Sequence, residues 1–419
     1  MKDLEDIIDF ANMVFNIKGE GINFEELLPK AYSQDRAERL EHHITEEKGK
    51  IRALIDLYPL ELRQTDSLVK AAYVGTVSVH PNSRRKGYMT ELMRRAEDSA
   101  RASGCDLLLL DGSRQRYQHY GFERAGIKYN YNVTRTSVRH CCQKLYGKNF
   151  GGEPLYRFEL FDGQTPCSSA IADKLYALYS RRHVTARSKE DFLPCLQSWG
   201  STVYIVYGKA PKTPYAPDSR SDDSFADKQE TAIENLKCGE TVEGYINISY
   251  DERSIFEFEL NDLSKLAEII CEFADELGSD ELGITVGGDE TEKISALDKM
   301  SDYFNVGMSR QIKILNYKNV LEFLFKWKSK YCRLSAGSYT INIKEKNENY
   351  QICIDGAQKI QVTPTCAAPD ISFEDSKELI YLLTTPSYYQ EYQKPQSILK
   401  TAPANWFPLP FFLPEADAF

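Results

Sequence analysis

The chain has 419 residues, of which 42% are hydrophobic and 27% charged. That balance excludes a wholly disordered chain, a collagen and a disulfide-dense miniprotein, and the length suggests two to four domains. The net charge of −10 sets up a field that repels phosphate backbones, so nucleic acid is not expected as a partner, whereas a cationic ligand is. No apolar run approaches the roughly 18 residues that span a bilayer, and the start MKDLEDIIDFANMVF is acidic where an export signal needs basic residues. We therefore expect a cytoplasmic protein with no membrane partner. The ten cysteines form no CxxC and the six histidines form no HxxxH or HExxH, so reduced thiols and no metal are expected.

In chain order, Leu4, Ile7, Ile8, Ala11, Val14 and Phe15 follow helical spacing, and a short helix is expected from Phe24 to Tyr32. Strand-like runs follow at 42–45, 50–62 and 68–80. A helix opens near Gly87, with Met89, Leu92, Met93, Ala96 and Ala100 on one face. Residues 105–110 read as a buried strand, 114–120 as a short helix, and 127–136 as a strand that closes a first α/β unit, 1–140. A second unit, 150–315, has helices at 168–180 and 189–198 and strands at 202–207, 242–250 and 254–260. A helix at 263–277 and a strand at 282–286 complete it. Residues 209–235, poor in aliphatics, read as a mobile insertion. A third unit, 316–419, starts with the helix 320–327, continues with strands at 338–343, 350–355 and 359–363, and adds a helix at 376–383. The fold class is α/β (α+β) with a repeated mixed-sheet unit.

The strongest local signal is Val77-Ser78-Val79-His80-Pro81-Asn82-Ser83-Arg84-Arg85-Lys86-Gly87-Tyr88-Met89. A strand ends, a basic turn follows, and a helix opens at a glycine. The first turn of a helix leaves N–H groups unpaired at a positive dipole end, and a diphosphate can accept them. The alternative is a basic surface turn with a capping glycine. At the other end of the chain, Pro386, Pro395, Pro403, Pro408, Pro410 and Pro414 forbid helix, while Trp406, Phe407, Phe411, Phe412 and Phe419 are too aromatic for a solvated tail. The tail should dock extended in a groove on the body. Glu415 and Asp417 are candidates for holding a cationic acceptor, and Tyr388, Tyr389 and Tyr392 could line the same pocket.

The turn resembles motif A of the GNAT acetyltransferases, Gln/Arg-x-x-Gly-x-Gly/Ala: Arg84 and Gly87 match, and Met89 replaces the last small residue. Further on, Arg116-Tyr117-Gln118-His119-Tyr120-Gly121-Phe122 looks like that family's FYxxxGF element. The whole chain resembles the Eis-like (enhanced intracellular survival) branch, which also departs from Gly/Ala where Met89 sits and ends in a phenylalanine, as this sequence does at Phe419.

The resemblance implies tandem GNAT domains followed by a sterol-carrier-protein-like module. It implies acetyl-coenzyme A as co-substrate, held by Val77, Ser78, Val79, Arg84, Arg85, Lys86, Gly87, Tyr88, Met89 and Thr90, with Gly112 and Ser113 at the end of the next strand. Tyr117 would protonate the leaving thiolate, and the α-carboxylate of Phe419 would take up or hold the amine proton. The acceptor would be a small cationic amine, aminoglycoside-like, although Ala418 stands where such chains often carry an acid. Protein or peptide lysine acetylation is the rival activity, and a hydrophobic-ligand carrier using the C-terminal module is the rival class. The branch includes hexamers, so a homo-oligomer is compatible with it. The second GNAT-like unit passes from Phe256–Leu260 directly into Asn261-Asp262-Leu263, with no glycine or arginine, and is expected to be scaffold.

Overall fold

The computed structural model describes residues 3–19, 21–33, 36–64, 66–147, 153–162, 169–209, 240–385 and 401–419. The expected insertion lies outside the described residues except for residue 209, and Tyr388, Tyr389 and Tyr392 also lie outside them. The described chain is a mixed α/β structure built on three sheets.

The N-terminal part supplies β1 (Glu41–Glu47), β2 (Lys50–Gln64), β3 (Ser67–Val79), β4 (Leu107–Leu110) and β5 (Glu123–Ala125). Next come β6 (Lys128–Thr134), β7 (Tyr156–Leu160), β8 (Thr202–Gly208), β9 (Thr241–Ile248), β10 (Ser254–Leu260), β11 (Glu281–Gly287), β12 (Tyr303–Gly307) and β13 (Arg310–Ile314). The first sheet has the order β1-β2-β3-β4-β13-β5 and the second β12-β6-β11-β10-β9-β8-β7.

Two strands have therefore changed places. The segment expected to close the first unit, β6, pairs instead with β11 from Glu281↔Thr134 to Gly287↔Lys128, and with β12 on its other edge. Its place is taken by β13, antiparallel to β4 at Gln311↔Leu110 and to β5 at Arg310↔Ala125. The apolar residues go with the exchange: Tyr131 and Val133 are buried in the second core, Ile312 and Ile314 in the first. Alternating hydrophobicity specifies a half-buried ribbon and not its partner.

The third sheet joins β14 (Gly337–Ile343), β15 (Glu348–Ile354), β16 (Ile360–Pro364) and β17 (Ile371–Phe373) in the order β16-β15-β14-β17. The helix Tyr317–Lys328 buries Val320, Leu321, Leu324, Phe325 and Trp327 in the core shared by the first and third sheets. In the first sheet, the helix Tyr88–Ala102 buries Leu92, Met93, Ala96 and Ala100 against Ala53, Ile55, Ala72 and Val74. Each large side chain so covered contributes roughly 1.5–3 kcal/mol. Among the described residues no helix is long and apolar enough to cross a membrane.

Candidate active site

The strands β3 and β4 run parallel but pair only from Ala71↔Leu107 to Tyr73↔Leu109. Residues 74–79 of β3 continue alone on that side, while their other edge stays paired with β2 as far as Ala53↔Val79. The two strands thus splay, and backbone donors and acceptors of β3 face the gap. Buried main-chain groups need partners, so this edge invites an extended ligand with amides of its own. Ser78 Oγ is buried there with no hydrogen-bond partner among the described residues.

The splay opens into a cleft of about 690 Å³ lined by Val77, Ser78, Val79, Arg84, Arg85 and Gly87, with Tyr88, Met89, Thr90 and Arg116 continuing the wall. Val14, Phe15 and Ile17 form the facing side. The turn between β3 and the helix holds Arg85 at φ 66° and Gly87 at φ 85°, both left-handed. A Cβ on Gly87 would meet nothing within 4 Å, so glycine serves the backbone angle there and leaves the approach to the helix N-terminus open. Among the described residues no carboxylate pairs with Arg84 or Arg85. Lys86 differs: its ammonium donates to both oxygens of Glu47 at 2.9 and 3.0 Å, with the Tyr88 hydroxyl on the same carboxylate, and it does not line the cleft.

Gly112 and Ser113 lie at the mouth of β4 and outside the cleft's lining. A Cβ on Gly112 would come within 2.5 Å of the Tyr117 ring, so the glycine is what lets that ring close in. Ser113 starts the helical turn Arg114–Tyr117. Tyr117 packs with the cleft residues Val77, Val79, Tyr88 and Met89, and burial pushes its phenol above the ordinary value against the opposing Arg116 guanidinium.

The tail 401–419 runs across all three sheets' domains. The Trp406 indole donates to Ser335 O at 2.8 Å and Lys328 Nζ to Pro408 O at 2.6 Å. Phe411 passes so close to Gly126 that a Cβ there would lie 1.6 Å from its carbonyl oxygen. Arg310 donates to Leu413 O, Pro414 O and Glu415 at 3.2, 3.0 and 3.1 Å. Arg187, 1% exposed at its side chain, bridges Asp417 and Glu257, both at 2.7 Å. Phe419 reaches β3. Its ring stacks between Tyr32 and Tyr58, with centroids at 5.8 and 5.3 Å, and fills the space a Cβ on Gly75 would need. Glu415 and Asp417, candidates above for a cationic acceptor, are instead committed to Arg310 and Arg187. A buried carboxylate needs a partner inside the protein, and both have one.

Several neighbours of Phe419 carry no sequence signal. Tyr32 donates to Asp56 Oδ2 at 2.5 Å and shares a hydrogen bond with the Thr76 hydroxyl, while His42 Nδ1 lies 2.6 Å from Asp56 Oδ1. Thr76 sits at φ 52° in a bulge, where Leu54↔Ser78 and Asp56↔Gly75 leave one extra residue in β3. Lys30, fully buried, donates to Ala416 O at 2.7 Å and to Ala418 O.

Residues 1–125 match the acetyltransferase (GNAT) domain family. The chain carries an acetyltransferase domain of the GNAT type at its N-terminus. No curated protein matches the chain by sequence. Three solved structures share the fold over almost their whole lengths. A GCN5-related N-acetyltransferase from Kribbella flavida has a TM-score of 0.61 and 12% identity, covering 100% of this chain and 98% of its own. A probable N-acyltransferase from Enterococcus faecalis V583 has 0.60 and 12%, covering 98% and 95%. Eis1 from Mycobacterium abscessus has 0.57 and 16%, covering 100% and 99%. The splayed strands, the open helix N-terminus and the Tyr117 ring all belong to the GNAT domain and the turn that follows its strand β4.

Proposed function

We propose that this chain is an Eis-like N-acetyltransferase that moves the acetyl group of acetyl-coenzyme A to a primary amine of a cationic acceptor, an aminoglycoside-like polyamine being the class the resemblance suggests. The observation that carries this is the unpaired edge of β3 leading into a helix N-terminus beside two arginines that have no acidic partner among the described residues. The residues fit the co-substrate: the free edge suits its pantetheine amides, the orphaned Ser78 hydroxyl wants a partner, and the Gly87 turn with Arg84 and Arg85 suits its diphosphate. Lys86 is committed elsewhere and has no part in this reading.

The acceptor amine attacks the thioester carbonyl carbon; a C–N bond forms and the C–S bond breaks. Backbone N–H groups of β3 near Val79 would stabilise the oxyanion. Tyr117 donates its phenolic proton to the departing thiolate; a buried phenol is a competent donor to a thiolate, whose conjugate acid is near 8.5. The proton lost by the amine goes to the α-carboxylate of Phe419, directly or through water. Unit 1–140 would be catalytic, 150–315 would be scaffold, and 316–419 a sterol-carrier-like module that presents the tail. A carrier of hydrophobic ligands needs the inner face of the helix Tyr317–Lys328 open, but Phe325 is packed on Trp406 and Phe407 at 5.2 and 5.7 Å.

Release of free thiol from acetyl-coenzyme A, measured across aminoglycosides, linear polyamines and lysine peptides, tests the proposal. Release with cationic small amines is expected. Release with lysine peptides alone would move the acceptor class to proteins, and no release with any amine would end the enzymatic reading.

A further inference from the structure

Lys30 is a lysine enclosed completely by the protein. It is 0% exposed, and among the described residues no carboxylate lies within ion-pair distance of its ammonium. An ammonium removed from water without an anion is costly, and natural cores rarely keep one. Among the described residues its hydrogen bonds go only to the tail, to Ala416 O at 2.7 Å and to Ala418 O, and it lies 5.6 Å from the centre of the Tyr58 ring that also stacks on Phe419. A second unusual feature meets it at the same atom. Trp199, from the other sheet's domain, is held at φ 64°, a conformation unfavourable for a bulky residue, and its indole donates to Ala418 O at 3.0 Å. A buried unpaired charge and a left-handed tryptophan thus converge on the last peptide carbonyl before Phe419. Packing alone would be served as well by an apolar residue at position 30.

We propose that Lys30 is a positioning residue for the Phe419 carboxylate: with Trp199 it fixes the last peptide plane and so the direction in which that carboxylate faces the acceptor amine. This rests on the reading in which the Phe419 carboxylate handles the amine proton. The test compares three forms of the full chain with acetyl-coenzyme A and an amine that releases thiol: K30M, the chain extended by two glycines after Phe419, and the two combined. K30M should lower kcat by about tenfold or more, leave KM for acetyl-coenzyme A within about twofold, and keep or raise the thermal midpoint. The combined form should be no slower than the extended chain, because two changes acting through one group do not add. If K30M does not fold, K30Q, which keeps a donor and drops the charge, takes its place. Parent-like kcat in K30M beside a slowed extended chain would overturn the role of Lys30 alone, as would losses that multiply in the combined form. An extended chain as fast as the parent would overturn both this role and the carboxylate reading beneath it.

Discussion

The two large sheets offer the same strand-to-helix passage twice and treat it in opposite ways. In the first, β3 ends in a basic turn whose glycine is left-handed and where, among the described residues, neither arginine has an ion pair and the neighbouring serine hydroxyl has no partner. In the second, β10 passes through Asn261 and Asp262 into Leu263, and the acids on that strand are buried and neutralised. Glu257 is held by Arg187 and Tyr245, and Glu259 by Lys293 and His183. Cations without ion pairs in one place and ion-paired acids in the other are what separate an open groove from a brace. The brace also has an output, since Arg187 reaches past Glu257 to Asp417 and so helps carry the tail to the first sheet.

Breaking the brace should give the largest effect. Arg187→Ala would strand two buried carboxylates and cost about 3–5 kcal/mol, read as a lower thermal midpoint and loss of turnover together. On the groove side, Tyr117→Phe should lower kcat by about 10²-fold with little change in stability, which separates chemistry from packing. Gly87→Val should raise KM for acetyl-coenzyme A by about tenfold, since a branched residue resists φ near 85°. The matching change in the second passage, Asp262→Ala, should leave that KM alone and cost only about 1 kcal/mol for the lost cap on Ser264 N.

Two titrations sharpen the contrast. Burial would raise the Glu257 carboxyl, but Arg187 and His183 outweigh it and hold it at about 2, below its ordinary 4.5. Its contribution to stability is therefore complete above pH 4.5 and is lost as the pH falls toward 2. Lys30 has the opposite sign. Burial lowers it from 10.5 to about 8, against the opposing influence of Cys195 and Asp417 and with Arg187 and Arg310 adding to the drop. Between pH 8 and 10.5 the unfolded chain holds the extra proton, so stability should rise with pH over that window in the parent relative to K30M. Denaturant unfolding at pH 7.5, 9 and 10.5 would show it.

Most of this architecture is legible in the residues, and the omissions share a cause. The long strands β2 and β3, the helix opening at Tyr88 and the aromatic tail announce themselves by period, turn and composition. The helix Arg135–Tyr146 does not, because only Val138 and Cys142 of its residues are buried. The strand β13 hides for a similar reason: Arg310 and Gln311 are buried, but through bonds to the tail and to Gly112 O that no local pattern encodes. At the site, the motif-bearing turn and Tyr117 can be read from sequence. Lys30, Tyr32, Asp56 and Trp199 cannot, since each acquires its surroundings from segments distant in the chain, and a lysine beside a proline ordinarily reads as surface.

The exchange of β6 and β13 also bears on how the molecule comes apart. A fragment of residues 1–125 would lack the ribbon that separates β4 from β5, leaving two raw edges open to self-association. Because the first sheet is completed only by β13, which follows β5 by way of the whole second sheet, it cannot close before synthesis has passed residue 314. The two halves should therefore melt as one cooperative body, and a protease cut between them should yield pieces that stay threaded together until denatured.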